Sequence, residues 1–453
     1  MNTDAIDNSA GVDCSDHEVN IKVLLDQVVR RGDLPGEQRD ALLVEMTDEV
    51  ARLVLRDNRE QNVLLGNARF HARPMLSVHR RYLRQLETAG KLDRVVEFMP
   101  SDAELEVRAA AGGALTSPEL AVLAAYAKNT LKMELLRSTV PDEPWFERDL
   151  RAYFPARLTN RFGEQVRSHP LRRQIVATSV INEMVNRVGI TFVFRAAEET
   201  EASVDEVVRA YSIASEIFGM SEHWEAVWQL GAPVAMDVQA SLHLEARRLV
   251  DRVVRRLLRS GAGLTDVAAG VARFGPTVLS LLPAVPDLVR GSERELLHGG
   301  VARREEQGVP RQLGLRSVSL LHAFPLLDVA ELGLVTGEPS AAVAELHYAL
   351  SAAFDIDAHL GRITDLPRAE RWQGVARAAL RDDLYTTLAG LTADVLRTTP
   401  AGAPEPRIAL WEEGHAQAVS RARSRLQEIS SGEAFDLAAL SVVVRTLRGV
   451  LRT

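Results

Sequence analysis

A chain of 453 residues with 46% apolar content can bury a large core and is long enough for two or three domains. Its net charge of −8 and pI near 5.9 exclude a global basic field for nucleic acid or anionic lipid. A single Cys excludes an internal disulfide framework and fits a reducing compartment.

The first element to read is "DNSAGVDCSDHEVN", Asp7 to Asn20. Asp7 to Gly11 is a string of turn formers, and "SDHE", Ser15 to Glu18, matches a capping box ahead of Val19, Ile21, Val23, Leu24 and Leu25. The pattern predicts a tight loop with a helix starting at Ser15. Such a start offers unpaired N–H groups and a positive dipole end, a natural carboxylate site. The Ser15 hydroxyl either only caps the helix or also donates outward to a ligand.

Helical signals continue along the chain. "EQRDALLVEMTDEVARLVLRDN" places Leu42, Leu43, Met46, Val50, Leu53 and Val54 on one stripe. "SDAE" at Ser101–Glu104 and "SVDE" at Ser203–Glu206 are capping boxes. "TSPELAVLAAYAKNTLKMELL" predicts Ser117 as cap and Pro118 at the first helical position. The aromatics of "WFERDLRAYFP" (Trp145, Phe146, Tyr153, Phe154) read as core packing. "HPLRRQIVATSVINEMVNRVG" is a long helix stopped by Gly189, and "GITFVFR" after it is the lone strand candidate. "EARRLVDRVVRRLLRSGAG" runs into Gly261 and Gly263. Further helices are expected at about 342–354, 368–397, 407–430 and 434–451. Loops fall near 31–37, 109–118 and 398–407. The most apolar stretch, "VARFGPTVLSLLPAVPDLV", is interrupted by Arg273 and three prolines, so no membrane span is expected. The acidic N-terminus does not read as a signal peptide, and the expected location is the cytoplasm.

The chemistry of dinucleotide binding is missing from the pattern. No G-x-G-x-x-G and no phosphate-binding G-x-x-x-x-G-K-[ST] occur. Only four lysines are present (Lys22, Lys91, Lys128, Lys132), none flanked as an active-site base would be. The other 50 basic residues are Arg, a composition typical of a GC-rich bacterial genome. Asp13, Cys14, Asp16, His17 and Glu18 match no common zinc spacing, and no metal is expected. His243 and His347 sit in apolar helical runs and read as core or boundary residues. Arg-rich stretches such as "VHRRYLRQ" lack aromatic interleaving and read as solvated faces.

"NSAGVDCSDHE" resembles the N-A-G-G-V-x-V-S-x-x-E stretch near the end of the catalytic region of glutamate dehydrogenases. Asn8, Gly11, Val12, Ser15 and Glu18 fall in register; Ala10 replaces the first family Gly, and Cys14 stands where Val is usual. The longer "DNSAGVDCSDHEVNIK" is similar to the large, NAD-specific bacterial class. So, in order, are "LTSPELAVLAAYAKNTLKMELL", "YFPARLTNRF", "HPLRRQIVATSVINEMVNRVGITFVFR" and "RWQGVARAALRDDLY".

The resemblance implies that Asn8 lies near the nicotinamide of NAD and that Ser15 holds the side-chain carboxylate of glutamate. The family's catalytic Lys and Asp, and most of its NAD site, lie upstream of the motif, so no catalytic residue is expected in this chain. The expected fold is mostly α, a multi-helix C-terminal region with little or no sheet, carrying the truncated end of a catalytic domain. Residues 1–30 are expected to be the tail of the catalytic region, 31–112 a helical connection and 113–453 a C-terminal helical domain. The implied activity is oxidation of L-glutamate to 2-oxoglutarate and ammonia with NAD. The isolated chain should be inactive, and the full enzyme is expected to be a homo-oligomer without nucleic-acid or membrane partners. The alternative is a non-catalytic helical regulatory or oligomerisation module.

Overall fold

The computed structural model describes residues 2–261, 264–366, 371–431 and 436–451. The chain is about 80% helical, and no strand occurs among the described residues. It divides into two compact units, Met1–Ile213 with Val253–Ala268, and Ala214–Arg252 with Ala269–Thr453.

The first unit begins with α1 (Asp4–Asp7), α2 (Ser9–Arg30), α3 (Gly36–Glu45), α4 (Thr47–Phe70), α5 (Ala72–Thr88), α6 (Asp102–Ala110) and α7 (Ser117–Leu135). It continues with α8 (Glu147–Tyr153), α9 (Ala156–Arg161), α10 (Gly163–Arg167), α11 (Arg172–Val188) and α12 (Phe192–Thr200). Helix α2 packs on α4 and α10, α4 on α7 and α11, and α11 also on α8. Leu24, Leu25 and Val28 of α2 are fully buried, as are Leu120 and Leu123 of α7. Phe146 and Phe154 join this core, while Trp145 and Tyr153 are only partly covered.

The second unit packs helix Ser340–Ala353 against Leu326–Thr336 and Arg371–Thr398, and the last of these against Leu437–Val450. Trp224, Phe354 and Trp411 are buried there. His347 is fully buried, and its Nδ1 meets Thr392 Oγ1 at 2.9 Å. His243 is buried as well.

Several local expectations change. Helix α2 starts at Ser9, with Asn8 as its N-cap, not at Ser15. The cause is tertiary: Asn58 Nδ2 on α4 donates to Ser9 Oγ (2.7 Å) and to the Ile6 carbonyl (3.3 Å), and Ile6 is buried. These contacts fix the backbone upstream of the sequence's own capping signal. "GITFVFR" is helical from Phe192; Gly189, at φ +102, ends α11 and turns the chain into α12. The cap ahead of Pro118 is Thr116, whose N–H donates to Glu119 Oε2 at 2.7 Å. The expected 407–430 helix is two, Pro404–Gly414 and Ala416–Ser431. The stretch Val267–Leu288 is long and apolar enough to cross a membrane by composition alone, although Pro276 lies inside its first helix and a 3₁₀ turn at Leu282–Ala284 interrupts it. The expected positions Gly263, 368–370 and 434–435 lie outside the described residues.

Candidate functional site

The motif region is one helix with two chemical faces. Asn8, Gly11, Ser15 and Glu18 recur at three- and four-residue steps, so they share a face of α2. All four are exposed. Val12 and Val19 beside them are 71% and 52% exposed, so this face has apolar surface that the chain itself does not cover. Lys22 Nζ donates to Glu18 Oε1 at 2.5 Å one turn further on. Asn8 and Ser15 stand two turns apart, about 10 Å of helical rise. A Cβ at Gly11 would come within 3.3 Å of Asn8 Oδ1, so glycine here leaves the Asn8 amide room to lie over the helix start. Ser15 is therefore a mid-helix hydroxyl directed to solvent rather than a cap.

The opposite face carries Asp13, His17, Asn20, Ile21 and Leu24. His17 is fully buried, and its ring stacks on Tyr153 with centroids 4.4 Å apart. Neither ring nitrogen has a hydrogen-bond partner, and Nε2 faces Asp13 Oδ1 at 4.0 Å. Burial holds the His17 pKa below its usual value. Asp13 Oδ2 is also buried without a partner. Burial, then the charges of Asp57 and Asp16, push the Asp13 carboxyl up to about 7. Asp57 on α4 accepts from Arg56 Nε at 2.8 Å. Donor atoms of Asp13, His17 and Asp57 all lie within 4.8 Å of one another. Cys14, Asp16 and Glu18 are exposed and outside this group; Asp16 instead accepts from the Tyr153 hydroxyl at 2.8 Å.

A second polar cluster lies deeper in the same unit. Glu60 pairs with Arg187 at 2.5 Å, and Tyr211 donates to Glu183 at 2.6 Å. Burial pushes Glu183 up to about 7 and Lys128 down to about 8, the latter opposed by Glu60 and Asp57. No sequence signal marked this cluster, because its members are dispersed over α4, α7, α11 and the helix Val204–Ile217.

Among the described residues, the motif face of α2 is exposed, relieved by Gly11 beside Asn8, and flanked by apolar side chains that the chain itself does not cover. Residues 112–449 match the family model "Glutamate dehydrogenase, C-terminal", and 1–68 match "Bacterial NAD-glutamate dehydrogenase, catalytic domain". The chain belongs to the glutamate dehydrogenase C-terminal family and corresponds to the C-terminal portion of the large, NAD-specific bacterial class. It is 41% identical to the NAD-specific glutamate dehydrogenase of Mycobacterium tuberculosis over 100% of its own length, and 41% identical to that of Pseudomonas aeruginosa over 98%. Identity to the Halomonas elongata enzyme of the same name is 37% over 99%. The chain spans 28% of the length of each of these relatives.

Proposed function

We propose that the chain is the C-terminal part of an NAD-dependent enzyme that oxidises L-glutamate to 2-oxoglutarate and ammonia. The carrying observation is that Asn8 and Ser15 share one exposed face of α2. Bound NAD supplies the hydride acceptor; this chain's part is to position. The Asn8 amide would help hold the nicotinamide end of the cofactor, and the Ser15 hydroxyl would donate to the substrate's side-chain carboxylate. Val12 and Val19 pack against the upstream catalytic region. No catalytic residue is assigned to this chain.

On this reading residues 1–30 are the tail of the catalytic region, 31–112 a helical connection and 113–453 the C-terminal helical domain. The enzyme is a bacterial, cytoplasmic homo-oligomer, with Val95 and Phe98, 85% and 90% exposed, leaving apolar surface for self-association. Nucleic-acid and membrane partners have no part in it, in keeping with the net charge of −8.

The test is made in the full-length enzyme. Losing a hydrogen bond to a charged group costs roughly 1.5–3 kcal/mol of binding. Ser15→Ala should therefore raise the glutamate KM on the order of 10- to 100-fold and leave the NAD KM nearly unchanged. Ser15→Asp should weaken glutamate further, by charge repulsion. A folded Ser15→Asp enzyme with a normal glutamate KM would overturn the substrate role.

A further inference from the structure

We propose that Asp13, His17 and Asp57 form a binding site for a divalent transition-metal ion of the zinc type, on the buried face of α2 and bridging it to α4. Asp13 and His17 stand four residues apart on one helix, so both point the same way. Asp57 arrives from α4, the helix on which α2 packs. The three donors already lie within 4.8 Å of one another. Zinc bonds of about 2.0–2.2 Å would bring tetrahedral donors to about 3.4 Å, so modest side-chain rotations close the site.

The independent observation is His17. A histidine sealed from solvent almost always bonds through at least one ring nitrogen, and this one bonds through neither. Its Nε2 points at Asp13 from 4.0 Å, too far for a hydrogen bond and suited to an atom lying between them. Asp13 Oδ2 shares the same lack of a partner. Stacking on Tyr153 fixes the plane of the imidazole, and Arg56 fixes the Asp57 carboxylate through Oδ1. These contacts orient ligands in the way supporting residues around metal sites do. An imidazole with two carboxylates suits zinc, manganese or cobalt better than calcium, which takes six to eight oxygens. Two carboxylates and a neutral imidazole also balance a dication. Arg56 and Lys128 are the cations that already face Asp57, and the ion must bind beside them.

The site faces away from Asn8 and Ser15, since residues 13 and 17 lie on the opposite side of the helix. An ion there ties α2 to α4 and touches no substrate. Its residues are positioning residues for the motif face.

The experiment uses the full 453-residue chain, stripped with a chelator and dialysed. Titration with Co²⁺ should give visible d–d absorption saturating at one ion per chain, and Zn²⁺ should displace it. Zn²⁺ should also raise the thermal midpoint. Asp13→Asn and Asp57→Asn should each weaken binding at least tenfold and abolish the thermal shift, while Cys14→Ser should change neither. Far-ultraviolet circular dichroism checks that each variant is folded; Asp57 is partly exposed, so its variant carries the test if Asp13→Asn fails to fold. Absence of stoichiometric binding by the folded wild-type chain would overturn the proposal. So would undiminished binding by folded Asp57→Asn.

Discussion

Glu183 illustrates how a single partly buried carboxyl sets a pH dependence. Burial raises its pKa from 4.5 to about 7, against the pull of Arg187 and the Tyr211 hydroxyl. The folded state then holds a proton that the unfolded state has lost. Its stability contribution is fully present below pH 4.5 and is lost as pH rises towards 7. Glu183 keeps part of its surface in solvent, which screens the effect, so the loss is about 1–3 kcal/mol. Glu183→Gln should flatten this fall while still accepting from Tyr211, measured by urea unfolding at pH 5 and pH 8. An unchanged pH slope would show that Glu183 is not its source. Ser15 tests the local structure at the same scale. A capping serine changed to alanine costs about 1 kcal/mol, but a mid-helix serine yields about 0.5 kcal/mol on the same change. Ser15→Ala should therefore leave the isolated chain as stable or slightly more so. A loss near 1 kcal/mol would restore the cap. The identities of Asn8 and Ser15 were legible from the motif, but their setting was not. Asn58, fifty residues from Asn8, moves the helix start by six residues, and nothing in the local string announces it. The nearness of Asp57 to His17 was invisible for the same reason: Asp57 stands in an ordinary amphipathic run.

Among the elements, helices with local signals were readable. Ser101 caps α6 with both halves of its box, Glu104 N–H to Ser101 Oγ at 3.3 Å and Ser101 N–H to Glu104 Oε2 at 2.7 Å. Gly189 stops α11 as its sequence position predicts. "GITFVFR" misled because branched and aromatic residues mark burial as much as strand. Ile190, Phe192 and Val193 are buried, but no neighbouring strand exists to pair with them among the described residues. Pairings between distant elements carry no such local signal. Arg407, 3% exposed, donates twice to Glu338 (2.7 and 2.9 Å) and once to Thr399 Oγ1 (3.0 Å), joining helix Pro404–Gly414 to the loop before Ser340–Ala353. Removing one partner leaves the other charge unpaired. Arg407→Met should cost about 3 kcal/mol, at the low end for buried pairs because Glu338 is 20% exposed. Adding Glu338→Gln should recover part of that loss, as a double-mutant cycle by denaturant unfolding would show. Strictly additive losses would mean the pair contributes nothing as a pair.

For the whole molecule, the sequence announced a helical chain through its periodicity and its relationship through a few quoted strings. The division of the described chain into two units was not legible, since segments 253–268 and 214–252 cross between them without a composition change. Under the proposed function this chain supplies one wall of a glutamate dehydrogenase site and does not turn over glutamate by itself. No strand is present among the described residues, and the motif face contains neither a dinucleotide fold nor a lysine placed as a base. The most direct measurement is NADH formation, followed at 340 nm, from glutamate and NAD by two purified proteins, the 453-residue chain and the full-length enzyme. The full-length enzyme should turn over, and the chain alone should show no rate above a mock-purified control. Turnover by the chain alone would contradict the claim.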